Sequence, residues 1–286
     1  LSLLTYGAVT NTLGFIGGGN MSTAIFKGIL KSGKIWVSGP HLENLTEWRK
    51  LGANITTKNG DVLNLCDVIF LGVKPHMLPS ALKACLETLP NDYSWGRRKE
   101  VLFISMLAGV TTAQLHEVII LTGNFSSACS IINNIVIFSG SCLITPAESA
   151  TAFDCRMLET LLSGSCVHTQ VPESMMDSLG ALVGCGPAYM YIVIEALSDG
   201  AVKQGVPRDL AQKFAAQMML GSAKMVLEAN KHPGLLKDEV CSPGGSTICG
   251  VTALENGSIR ASIINAIEAS TRRNRELGAV SRKSCK

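Results

Sequence analysis

Leu13-Gly14-Phe15-Ile16-Gly17-Gly18-Gly19-Asn20-Met21-Ser22 decides the reading of this 286-residue chain, because it joins a short apolar β-type run to a helical one through three consecutive glycines. In such a turn Gly17 permits the sharp reversal, Gly19 lets an anion approach the backbone, and Ser22 stands where a small residue allows close helix packing. A diphosphate placed there would meet free N–H groups and the positive end of a helix dipole.

Outward from this turn, short β-type runs alternate with helical stretches to about Ser105. Strands are expected at Leu13–Ile16, Lys34–Ser38, Ile55–Thr57, Val68–Val73 and Val101–Ser105, with helices at Met21–Lys31, Leu42–Lys50, Gly60–Cys66 and Leu78–Leu89. Asn91–Glu100 is a polar connection. Repeated βαβ units of this kind build a parallel, doubly wound, Rossmann-like sheet in an α/β fold. A β-rich stretch Ser130–Thr145, a helix around Ala147–Leu162 and a strand near Cys166–Gln170 complete the first domain, 1–171. In 172–286 strand signals cease, and Ser174–Val183, Pro187–Gly205, Arg208–Asn230, Ile248–Asn256 and Ile259–Leu277 read as helices of an all-α domain.

Composition narrows the function. Apolar residues make up 47% and charged residues 16% of the chain, with a mean hydropathy of +0.28. That is rich for a soluble monomer and points to an oligomer with buried interfaces. In Pro187–Gly205 the charges Glu195, Asp199 and Lys203 fall on one stripe, so the helix is expected to be buried on most sides, as in an intertwined dimer. A net charge of +3 with scattered basic residues disfavours nucleic acid. The apolar window Ala181–Leu197 contains Gly184, Gly186, Pro187 and Glu195, which makes it a poor bilayer span, so no membrane partner is expected. The ten cysteines show no CxxC and no zinc-type spacing, which implies no metal and buried thiols in a reducing compartment. With no basic leader before the first apolar residues, the expectation is a cytoplasmic protein.

The dinucleotide type is less marked. A site preferring NADH usually carries Asp or Glu at the end of the second strand, but this strand ends Trp36-Val37-Ser38-Gly39-Pro40-His41. The absence of an acid tolerates a 2′-phosphate and leans towards NADPH, with Ser38, Gly39 and His41 nearby. The fourth strand ends Leu71-Gly72-Val73-Lys74-Pro75, at the carboxyl edge where such sheets bind ligands. Lys74 there faces either the cofactor or solvent.

A second loop, Val240-Cys241-Ser242-Pro243-Gly244-Gly245-Ser246-Thr247-Ile248, carries three hydroxyls, a proline and two adjacent glycines between helical segments. Backbone N–H groups of Gly244 to Thr247 can form an anion nest for a substrate carboxylate, leaving the hydroxyls for orientation or proton delivery. Ordinary helix capping is the other reading, although capping needs only one hydroxyl. Glu173 reads as a first-turn acid and His232 as a cap or packing residue beside Pro233.

Taken with the glycine turn, this loop resembles the Δ1-pyrroline-5-carboxylate reductase family, and the resemblance spans nearly the whole chain. It is strongest through Glu195-Ala196-Leu197-Ser198-Asp199-Gly200-Ala201-Val202-Lys203-Gln204-Gly205, Gly221-Ser222-Ala223-Lys224-Met225 and His232-Pro233-Gly234-Leu235-Leu236-Lys237-Asp238. Lys74-Pro75-His76-Met77-Leu78-Pro79 and Cys241-Ser242-Pro243 resemble the cytosolic animal type. The resemblance implies NAD(P)H-dependent reduction of a cyclic imine to L-proline, the last step of proline biosynthesis. It implies cofactor contacts at Ile16, Gly17, Gly18, Gly19, Asn20, Met21, Gly39, Asn59, Gly72, Val73, Lys74, Pro75, Met106 and Ala108. Substrate contacts are implied at Ser242, Gly244, Gly245, Ser246 and Thr247, with Thr247 bonded to the ring nitrogen as proton donor. Intertwined homodimers that assemble into decamers are also implied.

The chain departs from the family pattern twice. Ile132-Asn133-Asn134-Ile135-Val136 replaces Met-Pro-Asn-Thr-Pro, and Ala181-Leu182-Val183-Gly184-Cys185-Gly186-Pro187 replaces Gly-Leu-Ser-Gly-Ser-Gly-Pro. These departures motivate one alternative, a weakened paralogue that binds dinucleotide as a regulatory or assembly partner. A second alternative is a β-hydroxyacid dehydrogenase with Lys203 or Lys224 as base. In that reading Lys203 also has a plain partner in Asp199, four residues earlier.

Overall fold

The computed structural model describes residues 12–29, 34–91, 101–107, 109–123, 129–138, 141–163 and 166–284, with the backbone alone for 120–123, 129–138 and 280–284. Ala108 and most of the expected Asn91–Glu100 connection lie outside the described residues.

An eight-stranded sheet organises the first part of the chain in the order β3-β2-β1-β4-β5-β6-β7-β8. Its strands are β1 (Leu13–Ile16), β2 (Ile35–Ser38), β3 (Asn54–Thr56), β4 (Val68–Leu71), β5 (Val101–Ser105), β6 (Cys129–Phe138), β7 (Ser141–Pro146) and β8 (Val167–Gln170). Pairing is parallel from β3 through β6; β7 runs antiparallel to β6, and β8 is parallel to β7. The order 3-2-1-4-5 is that of a doubly wound sheet, with its switch point between β1 and β4.

Side-chain alternation along each strand divides the core into two layers. Leu13, Phe15, Val68, Phe70, Leu102 and Ile104 point to one face, and Ile16, Ile69, Leu71, Val101 and Phe103 to the other, as the two-residue strand period requires. On the first face lie α1 (Asn20–Ile29), Trp48 of α2 (Thr46–Lys50) and α6 (Ala152–Leu162). Phe15 stacks on Phe70 with centroids 4.7 Å apart, and Phe26 stacks on Trp48 at 4.3 Å. The second face is covered by α3 (Asn59–Leu65), α4 (Leu78–Glu87) and α5 (Thr112–Gly123). α5 is absent from the expected elements; its sequence, TAQLHEVIILTG, lacks a strong helical stripe. α6 starts five residues later than expected because Thr151 and Asp154 form a capping box that fixes its first turn.

After a 3₁₀ turn at Glu173–Met175 the regular elements among the described residues are all helical: α7 (Met176–Gly180), a π-helical turn at Ala181–Cys185, α8 (Gly186–Lys203), α9 (Arg208–Glu228), α10 (Pro233–Val240), α11 (Ser246–Asn256) and α12 (Ile259–Ser284). The unexpected α10 begins at Pro233 and is capped by His232, whose Nδ1 accepts from Gly234 N–H at 3.0 Å.

The chain forms two compact units. One runs to Gly184 and resumes at Thr271; the other is Cys185–Ser270. This partition differs from the boundary at 171/172, because residues 173–184 and the last turns of α12 bond within the sheet-bearing unit. Asn274 Nδ2 donates to Asp177 O at 3.0 Å, and Thr112 N–H to Glu173 Oε1 at 2.6 Å.

The helical unit exposes much of its apolar surface. Ser198 is the buried residue of α8 and Ala211 that of α9, so the burial expected for Pro187–Gly205 is not achieved within one chain. Within that unit Tyr189 Oη and Ser270 Oγ lie 2.5 Å apart, tying α8 to α12. Asp199 pairs with Arg208 and not with Lys203, which corrects the expected helical pair.

Cysteines 85, 142 and 155 are buried free thiols, Cys66 is buried, and Cys249 is exposed. Burial pushes the Cys85 thiol up to about 12, and the Cys142 thiol is likewise raised by burial and by neighbouring Cys166.

Candidate functional site

The carboxyl ends of β1, β2, β4 and β5 share one edge of the sheet, since Ile16 pairs with Ser38 and Leu71, and Leu71 with Ser105. There the glycines divide the work of the turn. Gly17 has φ +97°, and a Cβ on it would stand 2.8 Å from Gly72 O. A Cβ on Gly18 would strike the Leu45 side chain, so the turn can sit close to the core. Gly19 is exposed, with nothing within 4 Å of where a Cβ would lie. Asn20 and Met21 follow as the first residues of α1, where N–H groups have no intrahelical acceptor. The result is a cradle open on the side where the backbone can meet an anion.

Ser22 does more than pack closely. It is 1% exposed and donates from Oγ to Gly17 O at 2.6 Å, and a Cβ on Gly72 would collide with that hydroxyl. Met106, 8% exposed, closes the same spot, its Cε 2.8 Å from that Cβ position. Turn, β4 end and β5 end are thus packed backbone to side chain, a close approach only Gly72 allows.

The remaining positions vary in availability. Ser38 is fully buried and donates to Phe15 O at 3.4 Å, so its hydroxyl serves the sheet. Gly39 N–H donates to Thr56 O at 3.2 Å. His41 is exposed, with Nδ1 3.5 Å from Glu43 Oε1. Asn59 opens α3 and donates from Nδ2 to Ala81 O at 3.0 Å. Val73 and Pro75 are half-buried and Lys74 is exposed.

The second loop, in the helical unit, is a tight turn. Gly245 N–H donates to Ser242 O at 3.0 Å, with Pro243 next and Gly244 at φ +67°. Those positions suit a type II turn, where proline precedes a residue of positive φ. Gly245 is the N-cap of α11 and no side chain caps that helix. Among the described residues, Ser242, Ser246 and Thr247 have hydroxyls with no internal hydrogen bond, so capping does not account for them. One detail differs from expectation: Gly245 N–H closes the turn, leaving Gly244, Ser246 and Thr247 to supply N–H groups to an anion.

Two of the side chains singled out in the sequence have definite partners. Glu173 opens a 3₁₀ turn as expected, but its carboxylate reaches Thr112, 61 residues earlier. Lys224 lies 3.8 Å from Glu228 and is 67% exposed. The segment 132–136 lies within β6, where Ile132, Asn133 and Val136 pair with β7 across an irregularity between Asn133 and Val136. Without prolines, its backbone can keep donating to the ladder.

Two family models match the chain, one described as pyrroline-5-carboxylate reductase dimerisation over residues 173–277 and one as NADP oxidoreductase, coenzyme F420-dependent, over 12–109. Pyrroline-5-carboxylate reductase 2 of Rattus norvegicus is 37% identical over 275 residues, 93% of this chain and 83% of the relative. Pyrroline-5-carboxylate reductase 3 of Danio rerio is 39% identical over 280 residues, 95% of this chain and 93% of the relative. Among solved structures, the Plasmodium falciparum pyrroline carboxylate reductase with NADP bound is similar at a TM-score of 0.81 and 28% identity, over 95% of this chain and 100% of that one. The reductase of Coxiella burnetii gives 0.78 and 28%, over 94% and 98%.

Proposed function

This chain belongs to the pyrroline-5-carboxylate reductase family, and on that premise we propose that its glycine turn holds the dinucleotide and its Ser242–Thr247 loop the substrate. The reaction is the NAD(P)H-dependent reduction of Δ1-pyrroline-5-carboxylate to L-proline. The observation that carries the division of labour is the second loop: an uncapped helix N-terminus beside three hydroxyls without internal partners. The family assignment displaces the β-hydroxyacid dehydrogenase reading.

The cradle fits a dinucleotide because Gly17, Gly18 and Gly72 have no room for a Cβ while Gly19 faces open space. Bound there, NAD(P)H supplies the hydride for the imine carbon. Ile16 to Met21 would hold the diphosphate, Gly39 and Asn59 the adenosine side, and Gly72, Val73, Lys74, Pro75, Met106 and Ala108 the nicotinamide side. We favour NADPH, since no carboxylate ends β2 to repel a 2′-phosphate.

The loop would receive the substrate. N–H groups of Gly244, Ser246 and Thr247 would bind its carboxylate at the positive end of α11. Ser242 and Ser246 hydroxyls would orient the ring, and Thr247 Oγ1 would hydrogen-bond its nitrogen. A neutral hydroxyl is a poor acid, so the ring would enter as the iminium or take its proton through water, and most of the acceleration would come from positioning.

The dimerisation segment makes the protein a homo-oligomer, which gives the apolar face of α8 a destination. Glu173–Lys203 contains an 18-residue window with the composition of a membrane span, of mean hydropathy 1.4 and 11% buried. It lies within the dimerisation match and is broken by a π turn and Pro187. Dimers of this chain assembling into decamers would give a species ten times the 30.3 kDa chain mass by light scattering. We place the reaction in the cytoplasm, a reading supported by the free thiols and tested by imaging the tagged full-length protein.

The test is turnover of pyrroline-5-carboxylate with NADPH and NADH, followed by Thr247→Ala. The substitution should lower kcat by about ten- to a hundredfold, the lower reach of a positioned proton donor, with cofactor affinity intact. An unchanged kcat removes Thr247 from the mechanism. Rebuilding Pro-Asn-Thr-Pro at 133–136 should raise the rate only if that departure weakens this chain.

A further inference from the structure

The turn after β5 is pinned by contacts that the reaction scheme leaves unused. Gly109 has φ +74°, and a Cβ on it would stand 2.9 Å from Gly278 N; a Cβ on Gly278 would stand 2.6 Å from Gly109 O. The last turns of α12 therefore lie against the β5–α5 turn with no side chain between them. Three residues beyond Gly109, Thr112 opens α5 with an N–H that has no intrahelical acceptor. Glu173 Oε1 accepts that N–H at 2.6 Å, and Oε2 accepts Thr112 Oγ1 at 3.1 Å. A carboxylate in this position also faces the positive end of the helix dipole. Gln114 completes the clamp, its Oε1 accepting from Thr111 N–H at 2.9 Å and its Nε2 donating to Gly278 O at 3.4 Å.

A cleft of about 280 Å³ adjoins these contacts, but its polar groups bond one another. Asn274 Nδ2 donates to Asp177 O, and Arg275 lies 3.9 Å from Asp177 Oδ2. The cleft is a seam between α12 and the turn, and what the turn controls lies at its other end. There Met106 packs over Gly72, which in turn packs on Gly17 and Ser22.

We propose that Glu173 is a positioning residue: by holding Thr112 while Gly278 backs Gly109, it fixes the turn at Gly109–Thr111 and so keeps Met106 seated beside the dinucleotide cradle. The reductase reading enters only in taking that cradle as the cofactor site. The expected Glu173, an acid in a first turn, thus acts on another helix.

The test compares Glu173→Ala, Glu173→Gln and Gly278→Ala in the full chain, reading NADPH Kd by fluorescence titration, KM and kcat, thermal unfolding, and amide exchange at Val110–Leu115. Glu173→Ala should raise Kd and KM for NADPH about tenfold, the scale of a lost hydrogen bond to a charged group, with kcat less affected and exchange faster. Glu173→Gln should recover affinity to within about twofold, since its carbonyl still accepts the Thr112 N–H. Gly278→Ala should mimic Glu173→Ala by pushing on Gly109 O.

A folded Glu173→Ala protein with a lower Tm but unchanged Kd would reduce Glu173 to a structural residue, and Glu173→Gln as poor as Glu173→Ala would contradict positioning by geometry. If Glu173→Ala does not fold, the same two outcomes are read from Gly278→Ala and Glu173→Gln. Wild-type protein that binds NADPH but does not reduce pyrroline-5-carboxylate would defeat the reductase reading and leave the affinity comparison to decide this one.

Discussion

In the sheet-bearing unit, Phe15, Phe26, Trp48 and Phe70 are each at most 1% exposed, whereas in the helical unit Tyr191, Phe214 and Leu227 stand 63%, 63% and 84% exposed. The first unit fills both faces of its sheet from its own chain. The second contains long helices whose apolar surfaces find too few partners within one chain. Burial of apolar area is the main favourable term in folding. The cofactor half is therefore stabilised by its own sequence, and the helical half by association with a second copy.

The strongest way to break this contrast is to charge the helical surface. Ile192→Glu with Phe214→Glu should abolish assembly in sedimentation and with it turnover, because both side chains are exposed in the lone chain yet apolar. An intact oligomer would place the interface elsewhere. In the other unit Phe70→Ala should cost about 3–5 kcal/mol as a buried aromatic deletion, lowering Tm while leaving the assembly state unchanged. Ser22→Ala should cost about 1 kcal/mol for its bond to Gly17 O, and weaken dinucleotide binding more than it lowers Tm. Lys224→Ala should change stability by no more than about 0.5 kcal/mol, as an exposed helical pair does. It should also leave kcat intact, whereas a general base would not. Finally, native alkylation at pH 7 should label Cys249 and spare Cys85, whose thiol is buried and pushed up to about 12.

The sheet half was legible because its signals are local. β1 and β5 fall where short apolar β-type runs place them, and the glycine turn carries its geometry in its residue types. α5 escaped because its apolar residues do not form a clear stripe, and α10 because a short Pro-Gly opening reads as a loop until His232 is seen to cap it. The compact units divide the chain elsewhere than at 171/172 because contacts such as Asn274 with Asp177 and Glu173 with Thr112 join residues far apart in sequence. No local pattern announces such pairs. The hydroxyl loop lay between these cases. Its composition was visible, but only the geometry shows that Gly245 N–H closes the turn and that none of its hydroxyls caps α11.

A crystal structure of the oligomer with NADPH and a proline analogue tests the central claim most directly. The account predicts the analogue's carboxylate on the N–H groups of Gly244, Ser246 and Thr247, and its ring nitrogen about 3 Å from Thr247 Oγ1. Analogue bound away from this loop would contradict it.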